Sequence, residues 1–345
     1  MSASLLDGSA LDFALPDDLV ATSPAEPRDA VRLLVATPDE LTHAAFADLP
    51  GFLAPGDLVV VNTSATLPAS VPTTDGRLVH LSTELPGGLW LVEVRLPHGS
   101  GSRPFPDARP GERVCLPRGG TVALLSPYGP STDRGVRLWV ATLRLPLPLL
   151  AYLERHGRPV RYDYAAGDWP LDAYQTVFAT DPGSAEMPSA GRAFTGEILA
   201  RLAARGVGVT PITLHTGVSS QDAGEAPYPE RYVVPLATAE RINATRAAGG
   251  RILAVGTTVT RALETVADER GRAHPGFGLT DLVVTPERGV RVVDGLLTGW
   301  HAPRASHLDL LVAVAGTDLV TCSYAAALDA RYRWHEFGDL HLLLP

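Results

Sequence analysis

Residues 251–264, with the sequence RILAVGTTVTRALE, are the stretch that decides the fold. Their mostly apolar beginning predicts a buried strand, Gly256 predicts a turn, and the residues that follow have the spacing of a helix. A strand, a glycine turn and a helix N-terminus together present free backbone N–H groups, which favour a carboxylate or a phosphate. Thr257 or Thr258 is expected to cap this helix.

Two charged residues lie in the first turns of the same predicted helix. Arg261 and Glu264 are spaced i, i+3, so we expect their side chains to meet on one face. An ordinary βα unit with a threonine cap is the more common source of such a pattern. The stretch alone therefore predicts the local structure and leaves a ligand site as one of two interpretations.

The composition is that of a globular protein with an acidic net charge. The chain has 345 residues, of which 45% are hydrophobic and 19% are charged, enough for a large core and two domains. The net charge of −9 argues against a dedicated nucleic-acid binder, although the 29 basic residues are all arginine, which suits carboxylate and phosphate contacts. Cys115 and Cys322 lack partners at metal-ligand spacing, so we expect a reduced cytoplasmic protein without a metal. No apolar stretch reaches transmembrane length, and the oligomeric state is left open.

The order of the predicted elements indicates an α/β fold that is interrupted by a β-rich segment. Strands alternate with helices at both ends of the chain, which favours a mostly parallel or mixed sheet. Between them, short apolar runs separated by Gly and Pro clusters predict a small antiparallel barrel or sandwich. We expect an α/β large domain, 1–64 and 160–345, with an inserted small antiparallel β-barrel domain, 65–159. The expected α/β elements include strands at 31–36, 41–46, 58–61, 207–215, 279–285 and 340–344, and helices at 195–205 (capped by Thr195), 236–248, 304–315 and 319–331.

Three loops at predicted strand ends form the candidate ligand site, because ligands of α/β sheets bind at the carboxyl ends of the strands. These loops are 215–220, 256–258 and 298–303. Two of them contain a histidine, His215 or His301, which can act as an acid or a base near neutral pH. A single loop histidine is more often an exposed or hydrogen-bonded side chain, whereas two such loops together favour a site.

Two further segments have residues suited to ligand contact. Gly191, in the small-residue turn 188–191, allows the backbone to approach a ligand closely, although an ordinary loop explains it equally well. Glu230 is a candidate base or amine anchor, and an exposed charge is the simpler interpretation. None of these spacings forms a metal site, a Walker loop, a G-x-G-x-x-G fingerprint or a nucleophile elbow. The residues alone therefore predict an α/β enzyme with an inserted β domain and an anion-binding pocket.

Several ordered motifs resemble one known family. They are FALP at 13–16 with Pro24 and Arg28, PGDLVVVN at 55–62, YQTVFA at 174–179, GTT at 256–258 with Arg261 and Glu264, His301 with Pro303, and YR at 332–333 followed by GD at 338–339. Each motif is weak alone, but their order and spacing extend over nearly the whole chain. The chain is thereby similar to the S-adenosylmethionine:tRNA ribosyltransferase-isomerases of queuosine biosynthesis.

The resemblance implies a fold, a reaction and two substrates. The family has an α/β large domain with a small β-barrel, uses S-adenosylmethionine as co-substrate and tRNA as acceptor, and needs no metal. It moves the ribosyl part of S-adenosylmethionine to a 7-deazaguanine base in tRNA, and adenine and methionine leave. This reaction needs a base beside the sulfonium, an acid or hydrogen bond for adenine, and anchors for the methionine carboxylate and ammonium. On this chain the implied catalytic candidates are His215, Glu230 and His301, and the implied S-adenosylmethionine-binding residues are Gly191, Gly256, Thr257, Thr258, Arg261 and Trp300.

The chain departs from the family pattern at several positions. Ala65 and Ser70 occupy positions where the family has arginines. Arg192 and Ala193 replace a Leu-His pair, and Tyr228 replaces a histidine. Fewer arginines weaken phosphate contacts. These departures indicate a divergent member and leave two alternatives: an enzyme that uses or cleaves S-adenosylmethionine with a small nucleoside-like acceptor or none, and a non-catalytic ligand-binding protein.

Overall fold

The computed structural model describes residues 11–99, 101–129, 136–161, 167–218 and 227–345. Its strands are β1 (Arg32–Ala36), β2 (Leu41–Ala45), β3 (Leu58–Asn62), β4 (Ser64–Thr66), β5 (Ser70–Pro72), β6 (Leu78–Leu85), β7 (Leu89–His98), β8 (Gly101–Pro104), β9 (Arg113–Cys115), β10 (Thr121–Tyr128), β11 (Leu138–Arg144), β12 (Asp181–Ser184), β13 (Gly208–His215), β14 (Glu230–Val234), β15 (Ile252–Val255), β16 (Gly276–Thr280), β17 (Gly295–Gly299) and β18 (Leu340–Leu343). Its α-helices are α1 (Leu149–His156), α2 (Gly196–Ala204), α3 (Leu236–Ala247), α4 (Thr257–Thr265), α5 (His307–Ala315) and α6 (Thr317–Asp329).

Nine strands form the main sheet, in the order β16-β14-β13-β3-β15-β17-β18-β1-β2. The central strands β13, β3, β15 and β17 run parallel to one another. Antiparallel pairs flank them, β13 with β14 on one side and β17 with β18 on the other. Because the four parallel strands end at the same edge, the residues that follow them come together there, as expected for a ligand site.

The central strands are buried on both faces of the main sheet. In β3, Leu58 and Val60 belong to the core on one face, whereas Val59 and Val61 belong to the core on the other. Helices α3, α4, α5 and α6 contribute to the first core, and α2 with the 3-10 helix Phe46–Phe52 contributes to the second. Successive side chains of a strand alternate between faces, so continuous apolar runs such as 58–61 require this double cover.

A second, antiparallel sheet is built from the segment between β4 and α1. Its strand order is β5-β6-β7-β11-β10-β9, with β8 paired to β7. It has its own apolar core, to which Trp139 contributes and which Tyr152 and Leu153 of α1 cover. A hydrogen bond of 2.9 Å from Thr74 N to Cys115 O joins the two ends of the strand order. This sheet begins at Ser70, after the short strand β4, which pairs with β12 in a separate two-stranded sheet.

The expected α/β architecture is confirmed in its main elements. The N-cap of α2 is also confirmed, because Thr195 Oγ1 accepts a hydrogen bond of 3.3 Å from Ile198 N. The strand expected at 279–285 is wrong beyond Thr280, where the chain leaves the sheet and the Leu282 carbonyl binds Arg261 instead. Strands β14 and β17 were not expected, since charged residues or glycines interrupt their apolar pattern.

In the described ranges, no single α-helix is long and apolar enough to cross a membrane. Helices α5 and α6 pass a test of length and composition only as a pair, and they are bent by 119° relative to each other.

Candidate active site

A cavity of about 540 Å³ lies at the carboxyl edge of the central strands. Its wall includes the loops that follow β13, β15 and β17, and Arg95 and Ser102 of the second sheet also line it. Cavities at such junctions are the usual place for a small-molecule site. The predicted site residues that line it are Glu230, Gly256, Thr257, Thr258, Arg261, Trp300 and His301.

The N-terminus of α4 forms one part of the wall. Gly256 has a φ of 94°, a conformation that L side chains rarely adopt, and this lets the chain turn sharply from β15 into the helix. The prediction that Thr257 or Thr258 caps the helix is wrong, because Gly256 occupies the cap position and both threonines lie inside the first turn. No side chain of the described residues caps this helix, so its first N–H groups remain available to a carboxylate.

Asn62 fixes this helix end relative to the sheet. Its Nδ2 donates to Leu214 O at 2.8 Å, and its Oδ1 accepts from Leu214 N and Ser64 N, each at 3.0 Å. The same Nδ2 lies 3.5 Å from Thr258 Oγ1. The amide therefore joins the ends of β3 and β13 to the first turn of α4, which gives the backbone donors a defined position.

Arg261 is held by partners on other elements. Its buried guanidinium forms an ion pair with Glu230. It also donates to three backbone carbonyls, those of Tyr228, Thr280 and Leu282. Since most of its N–H donors are used in this way, Arg261 acts on the cavity through its charge and its fixed position.

Glu230 is the carboxylate of this buried pair. Its Oε1 also accepts a hydrogen bond of 3.0 Å from Gly217 N, in the loop after β13. Burial raises the pKa of Glu230, and the charge of Arg261 partly opposes this effect. The residue therefore sits in an environment that favours holding a proton, with Arg261 beside it to stabilise the ionised form.

The expected contact between Arg261 and Glu264 is wrong. Glu264 accepts hydrogen bonds from the backbone N–H groups of Arg291 and Val292 and from the Arg288 guanidinium. Each member of the i, i+3 pair is thus drawn to partners from a different loop. Glu264 serves to anchor the segment before β17, away from the cavity wall.

Two histidine rings stack on each other in the cavity wall, near enough to Arg261 for its charge to act on His307. The centroids of His301 and His307 are 4.7 Å apart and their planes differ by 2°. His301 Nε2 lies 3.0 Å from Thr298 Oγ1. Burial, followed by the charge of neighbouring histidines, lowers the pKa of His301 well below its usual value. Burial and the Arg261 charge lower the pKa of His307 to about 4, so both rings are neutral at pH 7 and able to accept a proton or a hydrogen bond.

Trp300 lines the cavity mainly as part of an aromatic core. The side chain is only 1% exposed, and it stacks on His341 with a centroid distance of 4.5 Å and an angle of 10°. Tyr324 contacts it edge-on at 4.9 Å. One face of the Trp300 ring is therefore already covered by His341.

His215, a predicted catalytic residue, is not part of the cavity wall. Its Nδ1 lies 2.7 Å from Ser64 Oγ, which in turn lies 2.6 Å from Ser184 Oγ. Gly183 lies so close to the ring that a Cβ there would come within 2.3 Å of Nδ1. Burial lowers the pKa of His215 to about 4. The ring therefore faces the β4–β12 pair, because side chains at a strand end alternate between the two sides.

Gly191 also lies behind the wall that its neighbours form. Ser189 and Ala190 line the cavity, whereas Gly191 packs against Thr176, whose Cγ2 would lie 3.4 Å from an added Cβ. Its backbone turns in a 3-10 helix, and this turn places Ala190 next to Gly256.

The end of the first predicted loop, 219–220, lies outside the described residues.

The second sheet contributes a buried charged cluster. Arg95 donates to Glu93 Oε1 at 2.6 Å and to Ser102 Oγ at 2.7 Å. Arg137 also contacts Glu93, at 2.9 Å. Although burial acts to raise it, His80, Arg137 and Arg95 hold the pKa of Glu93 at about 2. These contacts hold the Arg95 guanidinium in the cavity wall. Its position depends on pairing between strands that are distant in the sequence, so a local sequence pattern does not predict it.

Three further cavity residues, Glu186, His335 and Glu336, were not among the predicted site residues. Burial, with the charge of Glu186, raises the pKa of Glu336 to about 8, while Arg192 acts in the opposite direction. His335 has a φ of 70°, and burial lowers its pKa to about 4. The dense polar and aromatic stretch 332–339 is the signal that could have identified two of them.

No group of three or more His, Cys, Asp or Glu residues in the described part of the chain is placed to hold a metal ion. Cys115 and Cys322 are both exposed and unpaired. The cavity therefore offers carboxylates, neutral imidazoles, guanidinium groups and helix N–H donors for its chemistry.

The chain matches the family of the queuosine biosynthesis protein over residues 8–343. It belongs to this family. Similar proteins are S-adenosylmethionine:tRNA ribosyltransferase-isomerases. That of Symbiobacterium thermophilum is 41% identical over 97% of this chain and 99% of its own length, and that of Acidiphilium cryptum is 38% identical over 96% and 97%. The crystal structure of an S-adenosylmethionine tRNA ribosyltransferase from Thermotoga maritima is 29% identical, covers 96% of this chain and 99% of its own, and superposes with a TM-score of 0.54.

Proposed function

We propose that this chain is an S-adenosylmethionine:tRNA ribosyltransferase-isomerase of queuosine biosynthesis. It transfers the ribosyl part of S-adenosylmethionine to a 7-deazaguanine base in tRNA and releases adenine and methionine. One observation carries the proposal: a chain that matches such enzymes end to end has, at the carboxyl edge of its sheet, a cavity with groups suited to this chemistry. The same similarity favours this function over a small-molecule acceptor and over a non-catalytic binding protein.

The α4 N-terminus is proposed as the anchor for the methionine carboxylate. Gly256, Thr257 and Thr258 line the cavity, and the uncapped first turn leaves backbone N–H groups to donate to an anion. Asn62 and the turn at Gly256 hold these donors in place before the ligand arrives. A donor group that is already ordered loses less entropy on binding, so this end of the cavity suits the methionine carboxylate.

Glu230 and His301 are proposed as the groups that transfer protons. Glu230 lies in the wall between Arg261 and the Gly217 N–H, a setting in which it can take a proton from the carbon beside the sulfonium. His301 is neutral and held by Thr298, so it can receive a hydrogen bond or pass a proton as adenine leaves. His215 stays a candidate for proton transfer, although its ring contacts Ser64 and neither residue lines the cavity.

The domain organisation and the cellular location are proposed with the function. We assign 65–159 to an inserted small β-barrel and 1–64 with 160–345 to the α/β domain; the hydrogen bond between Thr74 and Cys115, which joins the ends of the second sheet, supports closure. A tRNA substrate and two unpaired cysteines support the cytoplasm as the place of action.

The function is tested by following adenine and methionine from S-adenosylmethionine with and without tRNA that carries the 7-aminomethyl-7-deazaguanine base. We expect release of both products only when the precursor-bearing tRNA is present. Equal release without tRNA would instead identify an enzyme that cleaves the sulfonium or uses another acceptor. Tight binding of S-adenosylmethionine with no release under either condition would identify a binding protein.

A further inference from the structure

Glu336 presents a carboxylate that its own surroundings leave unsatisfied. The residue lines the cavity and also borders a small adjoining space that Arg192 lines. Its Oε1 is buried, and no atom of the described residues forms a hydrogen bond with it. A buried carboxylate oxygen without a partner is costly, so such an atom in a ligand cavity indicates a group that is supplied by the ligand.

The neighbours of Glu336 do not provide that group. Glu186 is a second carboxylate in the same cavity wall, and it adds charge of the same sign. Arg192 is the cation whose charge lowers the pKa of Glu336. Its side chain is directed to other partners, because its Nε donates to Ala173 O at 3.1 Å and its guanidinium forms an ion pair with the exposed Glu26 at 3.8 Å. His335 is neutral at pH 7, because burial lowers its pKa to about 4. Within the described part of the chain, the Oε1 of Glu336 therefore lies in a wall with a second carboxylate and receives no hydrogen bond from a cation.

We propose that Glu336 and Glu186 form a subsite for the primary ammonium group of a bound substrate. An ammonium group has three N–H donors and a compact positive charge, so it can satisfy the buried oxygen and balance the like charges together. The inference rests on the proposed function, which supplies two such groups. One is the ammonium of the methionine part of S-adenosylmethionine, and the other is the aminomethyl group of the acceptor base.

Ligand binding at this subsite exchanges a proton for the ammonium group. Without a ligand, burial and the Glu186 charge raise the pKa of Glu336 to about 8, so the side chain holds a proton at pH 7. Arg192 lowers this pKa, Arg28 lies near Arg192, and neutral His335 adds no charge. An ammonium group favours the ionised carboxylate, so binding at pH 7 releases a proton. The affinity for the ammonium-bearing ligand then rises with pH up to about 8.

The test uses Glu336→Gln, which keeps the shape and removes the charge, and Glu186→Gln as a second variant. Glu26→Gln is the matched control, because Glu26 is 79% exposed and contacts Arg192 from outside the cavity. Calorimetry in two buffers of different ionisation enthalpy measures affinity and proton release. The probes are S-adenosylmethionine and tRNA bearing 7-aminomethyl-7-deazaguanine, compared with 5′-methylthioadenosine and tRNA bearing the 7-cyano base, which lack the respective ammonium groups.

We expect Glu336→Gln to weaken one ammonium-bearing probe about 10- to 100-fold, to abolish its proton release and to leave its ammonium-free analogue unchanged. A loss with S-adenosylmethionine assigns the subsite to the methionine ammonium, and a loss with the precursor tRNA assigns it to the acceptor. Unchanged affinity for both probes, or an equal loss with Glu26→Gln, overturns the inference. These are binding measurements, so an absence of adenine release by the wild type would refute the proposed function separately.

A stability measurement separates a ligand subsite from a structural role. In the ligand-free protein at pH 9, Glu336→Gln should raise the melting temperature, because it removes a buried charge that has no partner. A lower melting temperature for this variant would show that Glu336 supports the fold, and it would contradict the inference.

Discussion

Two walls of the same cavity differ in how their buried carboxylates are balanced. In the α4 wall, formed by Gly256, Thr257, Thr258 and Arg261, the carboxylate of Glu230 is paired with Arg261. In the Glu336 wall, formed by Glu186, His335 and Glu336, the Oε1 of Glu336 is buried and has no hydrogen-bond partner among the residues that the structure describes. The carboxylate of the first wall is balanced within the free protein, whereas that of the second is balanced only when a ligand provides a cation.

This difference separates what the two walls contribute. Groups that are paired within the protein stabilise the folded state and hold backbone donors in position. Groups that are paired only in the presence of a ligand reduce the stability of the free protein and increase the free energy gained on binding. This loss of stability is a known cost of functional sites. Removing a paired group from the α4 wall should therefore lower both stability and affinity. Removing the Glu336 charge should lower affinity and raise stability.

The largest expected effect is that of Arg261→Ala. This change leaves Glu230 buried without its cation and three backbone carbonyls without their donor, so we expect a loss of about 3–5 kcal/mol in the free energy of unfolding. Affinity for S-adenosylmethionine should also fall, because the α4 wall loses its fixed charge. Urea denaturation and calorimetry measure the two losses.

The exposed Arg270 offers a matched control, since Arg270→Ala should change neither quantity. Adding Glu230→Gln to Arg261→Ala should recover part of the lost stability, because no unpaired charge then remains. A double variant no more stable than the single one would show that the ion pair is not what stabilises this wall.

The next effect concerns acid stability near His307. Burial lowers the pKa of His307 to about 4, whereas an unfolded chain binds the proton near pH 6.5. The stabilisation is therefore complete above pH 6.5 and is lost as the pH falls from there to about 4, with a loss of about 3 kcal/mol. His307→Gln should flatten this part of the stability curve measured by denaturation at successive pH values. An unchanged curve would contradict the assignment of a neutral ring in the wall.

The smallest effect on stability is expected for Gly256→Ala. The new side chain would be held at a φ of 94°, which costs about 1–2 kcal/mol, and its Cβ would lie 3.4 Å from both Ala190 Cβ and Thr258 Oγ1. Gly249 has a φ of 82° with no atom within 4 Å of an added Cβ, so Gly249→Ala is the matched control. Both variants should lose stability, but only Gly256→Ala should lose affinity for S-adenosylmethionine. Equal affinities would remove this turn from the ligand site.

The sequence pattern predicts the parts of this molecule that depend on local physics. The apolar run before Gly256 and the helical spacing after it predict β15 and α4, and Thr195 predicts the start of α2. The predicted threonine cap of α4 was wrong, because the turn geometry places Gly256 at the cap position. Local patterns therefore locate the edge of the sheet where the cavity lies.

The same patterns cannot show which distant side chains meet there. Arg261 pairs with Glu230, 31 positions away, and not with Glu264 on its own helix, because strand β14 places Glu230 beside α4. Arg95 enters the cavity from the second sheet, and Glu336 enters it from the turn before β18. These contacts depend on chain topology, and the spacing of residues along the chain carries no information about them.

A crystal structure with bound S-adenosylmethionine tests the central claim most directly, namely that the cavity is the co-substrate site and α4 its anion anchor. We expect the methionine carboxylate to lie within about 3.2 Å of the backbone N–H groups of Thr257 or Thr258. We also expect the sulfonium in the cavity, on the side of Glu230 and His301. S-adenosylmethionine bound outside this cavity, or with its carboxylate directed away from α4, would contradict the account.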